Sequence, residues 1–138
     1  MKVVGADGCP AGWVYVAIDG EGRWQAGLAR TARELWQHFS DASLILLDVP
    51  IGLKEHGPDE RRCDIHARRL LGPRRSSVFR VPCRDAVYAS SYEDANRMNR
   101  ERTGKGLARQ AWNIVRLTGQ GDELLWVDEG ARRVWSEP

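Results

Sequence analysis

The sequence predicts an α/β fold, in which helices pack on a mixed sheet of about five strands. Three strand-like segments follow one another before the first helix, and a continuous apolar strand comes directly after that helix. A doubly wound sheet alternates strands and helices from its start, whereas this order places an antiparallel meander before parallel strands. The 138 residues are the length of a single ordinary domain.

The opening meander is predicted from short apolar segments separated by turn residues. Residues 3–6 are an apolar strand that ends at Asp7, and residues 13–18 are rich in aromatic and β-branched side chains. Asp19 and Gly20 are typical of a hairpin turn, so residues 23–29 are expected to return as the third strand.

A helix and a buried strand are expected next. Thr31 and Glu34 have the spacing of a capping box, in which side chains satisfy the free N–H groups of the first helical turn. Apolar residues then recur with helical spacing at Ala32, Leu35, Trp36 and Phe39. Residues 43–48 form a continuous apolar run, as in a strand covered on both faces, and Pro50 stops it.

The remaining residues are predicted to be mostly helical. Helices are expected to begin at Pro58 and Ser91, and another to span residues 107–117 and end at Gly119. Residues 132–135 are predicted to form a last short strand. This order is that of the RNase H-like fold, so we expect one such domain over residues 1–138, with a helical insertion around residues 54–106.

The first of the predicted inserted helices has two distinct faces. Arg61, Asp64 and Arg68 share one face, whereas the other face is apolar. The apolar face consists of Cys63, Ala67, Leu70 and Leu71.

Charge is distributed unevenly along the chain. Residues 54–116 carry fifteen basic and eight acidic side chains, a net charge of +7, between ends of net charge −2 and −3. Such a basic block attracts polyanions, and DNA or RNA above all, although an arginine-rich solvated helical surface has the same composition. Nucleic acid is therefore the expected partner.

The N-terminal segment and the cysteines predict the cellular compartment of the protein and the redox state of its thiols. A strand begins almost at the first residue without a signal-peptide pattern, and no apolar run has the length of a membrane span. The three scattered cysteines do not resemble a disulfide framework, and Cys63 with His66 is too little for a zinc site. A cytoplasmic protein with reduced thiols and no membrane partner is expected.

Two acidic residues lie at matching ends of predicted strands. Asp7 follows the first strand and Asp48 the buried fourth, and sites in α/β sheets form at the carboxyl ends of strands. Neighbouring carboxylates repel each other, and a Mg²⁺ or Mn²⁺ ion relieves that repulsion. Such an ion activates water for phosphodiester cleavage. The alternative is that both residues only shape turns, as Asp19 is expected to do.

Several longer motifs resemble an uncharacterised prokaryotic family of predicted RNase H-like nucleases. The opening GADGCPAGW is the most distinctive of them, and DVPIGL follows the fourth strand. The other motifs lie at residues 62–68, 71–79, 103–107 and 110–114. The resemblance covers most of the chain and implies an RNase H-like fold and a hydrolase of the nuclease class.

The resemblance also implies roles for particular residues. Asp7 and Asp48 match the metal-facing acids, with Mg²⁺ or Mn²⁺ as the cofactor. Cys63 is a further polar residue of the family motifs, and those expected to bind phosphate or substrate are Asp64, Arg68, Arg75, Ser76, Ser77, Lys105, Gln110 and Asn113. Family members continue past a strand carrying a Glu and a His-Pro-Glu motif, so this chain is short at its C-terminus, and Glu137 is the candidate third catalytic acid.

Three hypotheses about function remain open from the sequence. The first is a metal-dependent nuclease, and the second is a non-catalytic module that binds nucleic acid or nucleotides. The third is a small-molecule phosphatase or phosphotransferase, a class that normally needs two domains of related architecture. The loop around Lys105 is not a nucleotide-binding P-loop, because Asn99 and Gly106 replace required residues. The sequence also leaves open whether the protein forms a homodimer.

Overall fold

The chain folds into two compact units in a computed structural model that describes residues 1–136. One unit contains Met1–Ile51 together with the chain from Leu117 onward, and the other contains Gly52–Arg116. The segment predicted as an insertion, residues 54–106, lies within the second unit, which extends beyond it at both ends.

The first unit is built on a mixed sheet that has five strands in the described part of the chain. The strands are β1 (Val3–Cys9), β2 (Gly12–Ile18), β3 (Trp24–Ala29), β4 (Leu44–Leu47) and β5 (Trp135–Ser136). Their order is β3-β2-β1-β4-β5; β1 and β3 pair antiparallel with β2, whereas β4 pairs parallel with β1 and β5. The predicted α/β class and RNase H-like mixed sheet are confirmed.

Helices make up most of the rest of residues 1–136. They are α1 (Ala32–Phe39), α2 (Arg62–Leu71), α3 (Arg84–Val87), α4 (Tyr92–Thr103), α5 (Arg109–Asn113), α6 (Val115–Val127) and α7 (Glu129–Val134), with a 3₁₀ helix at Gly72–Ser77. Within the described residues, none of these helices combines the length and the apolar character needed to cross a membrane.

Helix α1 begins where the capping box predicts. The Thr31 hydroxyl accepts a hydrogen bond from the Glu34 N–H (3.1 Å), and the Glu34 carboxylate accepts one from the Arg30 N–H (2.8 Å). These bonds satisfy N–H groups that have no partner inside the helix. Leu35 and Phe39 are fully buried, so the predicted apolar face packs inward.

The sheet buries one face and exposes the other. Val4, Ala6, Ile45 and Leu47 belong to the core cluster of the first unit, together with apolar residues of α1, α6 and α7. Side chains alternate along a strand, so the intervening positions point away from these helices. The exposed positions include Val14, Val16, Ile18 and Leu28, each 44–49% exposed.

The C-terminal part of the first unit differs from the prediction. Helix α6 does not end at Gly119 but continues through Gly121 to Val127. Both glycines are buried, and a Cβ atom at Gly121 would lie 3.8 Å from the Val49 side chain. Tertiary packing therefore overrides the low helix propensity of glycine at this point.

The predicted last strand is also mostly helical. Residues 129–134 form α7, and only Trp135–Ser136 pair with the sheet. The cause is Asp128, whose carboxylate accepts a hydrogen bond from the Ala131 N–H (3.0 Å) and so caps a helix that the short apolar pattern did not reveal.

The second unit has its own small core. Cys83, Ala86, Ala95, Leu107 and Ala111 are buried together. Beside them, the buried Asn99 side chain accepts a hydrogen bond from the Cys83 N–H (2.9 Å) and donates one to the Lys105 carbonyl (2.9 Å). Asn99 therefore fixes the loop that follows α4.

The turn between β1 and β2 generates a testable prediction. Gly12 has a φ of +140°, and a Cβ atom there would lie 2.2 Å from the Ala29 carbonyl oxygen. We expect Gly12→Ala to lower the free energy of unfolding by about 3 kcal/mol or more, because the clash is with main chain. Denaturant unfolding measures this.

Gly22 is the matched control for this substitution. It also has a positive φ (+79°), but a Cβ atom there would meet no atom within 4 Å. Gly22→Ala should lower the free energy of unfolding by only about 1 kcal/mol, because alanine is strained in the left-handed backbone conformation. Equal losses in the two variants would contradict the described packing of Gly12.

Candidate functional site

Asp7 and Asp48 occupy corresponding positions on adjacent strands. The parallel register of β1 and β4 ends with Ala6 opposite Leu47, and the Asp48 N–H donates to the Ala6 carbonyl at 3.1 Å. Neighbouring strands lie about 5 Å apart. Ala6 is buried, so Asp7, the next residue of β1, faces the opposite, exposed side of the sheet, and Asp48, which directly follows β4, is also exposed.

The position of Asp7 within its strand differs from the prediction. β1 does not end at Asp7 but continues to Cys9, and Asp7 pairs with Val14 in the hairpin. Only the pairing with β4 stops at Ala6. The hairpin with β2 therefore holds the Asp7 backbone in extended conformation next to the point where β4 ends.

Both carboxylates are exposed and, among residues 1–136, neither has a side-chain hydrogen bond or an ion pair. Asp19, in contrast, has the hydrogen bonds of an aspartate that stabilises a turn. Its carboxylate accepts hydrogen bonds from the Glu21 and Arg23 N–H groups (2.9 and 3.0 Å) and from the Arg23 guanidinium (2.8 Å). The Arg23 side chain holds the pKa of Asp19 below its usual range. Asp7 and Asp48 thus lack the contacts of turn-shaping residues.

The two acids have the chemistry of a hard-cation site, although the described part of the site is small. Carboxylate oxygens are the ligands that Mg²⁺ and Mn²⁺ prefer. No third His, Cys, Asp or Glu joins the pair within residues 1–136. Glu137, the candidate third acid, lies outside the described residues. Asp7 and Asp48 therefore fit a cation that keeps several water ligands.

In the second unit, two of the predicted polar residues face inward. The Asp64 carboxylate forms a two-bond ion pair with the Arg61 guanidinium (2.9 and 2.6 Å), and these side chains are only 7% and 10% exposed. Arg68 pairs with the Glu60 carboxylate and donates to the Val78 carbonyl at 2.9 Å. Both residues therefore hold the second unit together.

The other predicted phosphate-binding residues are exposed. They are Arg75, Ser76, Ser77, Lys105, Gln110 and Asn113. The first three lie on the 3₁₀ helix Gly72–Ser77, and the last two lie three positions apart on α5. These side chains are free to meet a ligand from solvent.

Helix α2 buries part of its polar face. It begins at Arg62 rather than at the predicted Pro58, and Asp64 is its buried residue. The apolar face is largely exposed: Leu70 is 88% and Leu71 41% exposed. The reason is the Arg61–Asp64 pair, since leaving either charge buried without its partner costs more than exposing a leucine.

Sequence reasoning missed several residues of this inward-facing group. Glu60 pairs with both Arg68 and Arg80, and Arg61 was recognised only as a residue of a polar face. The four arginines among residues 61–69 are the pattern that could have indicated an ionic interior. Asp122 was missed because α6 was predicted to end at Gly119; it is buried within that helix.

All three cysteines are free thiols, as predicted. Cys83 is buried, and burial raises the pKa of its thiol. Cys63 is exposed on α2.

Comparison with known protein families shows the family to which the chain belongs. The family model described as "Protein of unknown function (DUF429)" matches residues 5–137. Because the match covers nearly the whole sequence, the protein belongs to this family. Searches of curated proteins and of solved structures returned no match.

The inward ion pair of the second unit generates a prediction about stability. Arg61→Ala leaves the Asp64 carboxylate buried without its partner. We expect this variant to lower the free energy of unfolding by about 3 kcal/mol. Arg62→Ala, at the exposed neighbouring position, should change it by no more than about 0.5 kcal/mol. Similar values for both variants, measured by denaturant unfolding, would show that the Arg61–Asp64 pair does not stabilise the unit.

Proposed function

We propose that this protein is a metal-dependent nuclease of the RNase H-like class, a hydrolase that cleaves phosphodiester bonds in nucleic acid. The observation that carries the proposal is the placement of Asp7 and Asp48 at corresponding positions of paired parallel strands. Both are exposed and have no side-chain partner within residues 1–136. The resemblance of the sequence motifs to predicted RNase H-like nucleases supports the same function.

Asp7 and Asp48 act as ligands in this proposal. The register of β1 with β4, in which Ala6 lies opposite Leu47, supports a shared cation, and the hairpin with β2 holds the Asp7 backbone in a strand. A bound Mg²⁺ or Mn²⁺ would supply an activated water and stabilise the leaving oxygen. Glu137 remains the proposed third acid.

The exposure of the acids favours a polymeric substrate. Small-molecule sites are concave and enclose most of their ligand, whereas Asp7 lies on an exposed sheet face beside Val14, and Asp48 is exposed directly after β4. This argues against the phosphatase or phosphotransferase hypothesis. On the second unit we assign phosphate contacts to Arg75, Ser76, Ser77 and Lys105, because guanidinium, hydroxyl and ammonium groups all bind phosphate oxygens. Gln110 and Asn113 are proposed to meet the same ligand.

A second candidate function is a nucleic-acid-binding module without catalysis. It is favoured by the finding that no group of three or more His, Cys, Asp or Glu side chains suited to a metal ion occurs within residues 1–136. The net charge of +7 over residues 54–116 is sufficient for binding without any cleavage. In both cases we expect a cytoplasmic protein.

The experiment is cleavage of labelled single- and double-stranded DNA and RNA in the presence of Mn²⁺ or EDTA. We expect cleavage with Mn²⁺ and none with EDTA. Asp7→Asn and Asp48→Asn should each lower the rate at least about a hundredfold, because each removes one anionic ligand of the cation.

Glu123→Gln is the matched control, since Glu123 is an exposed acid of the same unit on α6. It should cleave at the wild-type rate. Binding of the oligonucleotides without metal-dependent cleavage would favour the non-catalytic module. Cleavage that survives in both aspartate variants would refute the proposed site.

A further inference from the structure

The outward side of α2 carries a row of basic residues. Arg62, His66 and Arg69 lie at positions i, i+4 and i+7, which places them on one side of the helix. All three are exposed. They point away from the side that holds the Arg61–Asp64 and Arg68–Glu60 ion pairs.

The arginines of the second unit fall into two groups, those with a carboxylate partner and those without one. Arginines with a carboxylate partner are Arg61, Arg68, Arg80, Arg84, Arg97 and Arg102. Within the described chain, by contrast, the side chains of Arg62 and Arg69 form neither an ion pair nor a hydrogen bond. Within the described residues Arg100 and Lys105 are also exposed without an ion pair, whereas Arg62 and Arg69 share one side of a single helix.

The row continues beyond the end of α2. Helix α2 ends at Gly72, which has a φ of +51°, and the 3₁₀ helix Gly72–Ser77 follows directly. Arg74 and Arg75 on that turn are exposed and, like Arg62 and Arg69, lack side-chain partners among residues 1–136. We call the surface formed by Arg62, His66, Arg69, Arg74 and Arg75 the basic stripe.

We propose that the basic stripe binds the sugar-phosphate backbone of nucleic acid. Charge complementarity selects a polyanion, and the guanidinium groups supply paired N–H donors that match phosphate oxygens. The inference rests on the proposed function only for identifying the polyanion as nucleic acid, because binding here does not need the carboxylate pair to be catalytic. It assigns Arg62 and Arg69, rather than the inward-facing Arg68, as backbone contacts.

The composition of α2 favours nucleic acid over an anionic membrane surface. A helix that lies in a membrane interface needs a broad apolar face opposite its basic one. The side of α2 opposite the stripe holds Asp64 and Arg68 in ion pairs instead. Leu70 is the only residue of the helix that is both apolar and more than half exposed. The contact is therefore electrostatic and independent of base sequence.

The test is fluorescence anisotropy with a labelled oligonucleotide of mixed sequence, titrated with protein in EDTA at several salt concentrations. Arg62→Gln combined with Arg69→Gln should weaken binding at least about tenfold. It should also reduce the slope of log K against log salt by about 2, one for each lost phosphate contact. Arg62→Lys combined with Arg69→Lys should retain most of the slope, because the charges remain.

Arg97→Gln combined with Arg102→Gln is the charge-matched control. These arginines are also exposed and in the same unit, but each has a carboxylate partner, so this variant should bind as the wild type does. Equally weakened oligonucleotide binding in both double variants would show that only net charge matters. This result would overturn the proposed role of the basic stripe. Unchanged binding in the Arg62 and Arg69 variant would overturn it as well.

A second arm uses vesicles of phosphatidylserine and phosphatidylcholine. Stripe-dependent binding to these vesicles without oligonucleotide binding would assign the surface to a membrane and overturn the proposal. Thermal unfolding by circular dichroism confirms that each variant is folded. Cleavage is not measured here, so failure of the proposed hydrolysis leaves the outcome of this experiment unchanged.

Discussion

The parallel pairing of β1 with β4 is the constraint on which the candidate site depends. Four residue pairs, from Val3–Leu44 to Ala6–Leu47, fix the register of the two strands. Because side chains alternate, burying Ala6 against the helices turns Asp7 to the exposed face, and the exposed Asp48 directly follows the buried Leu47 at the end of β4. A slip of one residue would bury an aspartate and expose a core leucine, so the hydrophobic pattern itself keeps the two acids aligned.

The second unit is organised by charge rather than by apolar burial. Its apolar core is small, and the ion pairs of Glu60, Arg61, Asp64 and Arg68 replace part of it. Removing one partner of such a pair is costly, so the pairs fix which side of α2 faces inward. The arginines that have no acid to meet are then left on the outside. The arginines that hold this unit together are thus distinguished from the unpaired ones by their carboxylate partners and not by their positions in sequence.

Much of the fold could be predicted because local patterns and tertiary packing agree there. The meander, the Thr31 cap and the buried β4 each follow from alternation, capping or apolar runs. The extension of α6 could not be predicted, because Gly119 is a helix-ending residue that packing keeps helical. The inward face of α2 could not be predicted for a similar reason: counting apolar residues cannot anticipate a buried Arg61–Asp64 pair.

The candidate site was less predictable than the fold. The sequence indicated which aspartates follow which strands, and the structure places Asp7 and Asp48 side by side with exposed carboxylates. Their role as cation ligands stays a prediction. A pattern of residues cannot show which arginines have acidic partners, and for this reason Arg68 was assigned to phosphate while Arg62 and Arg69 were overlooked.

The most direct measurement of the central claim is the anomalous difference density of a crystal soaked in MnCl₂. The account predicts a peak within coordination distance of the carboxylates of both Asp7 and Asp48, and its loss in Asp7→Asn. Asp7 and Asp48 side chains that point apart, with no peak between them in a crystal that binds Mn²⁺ elsewhere, would contradict it.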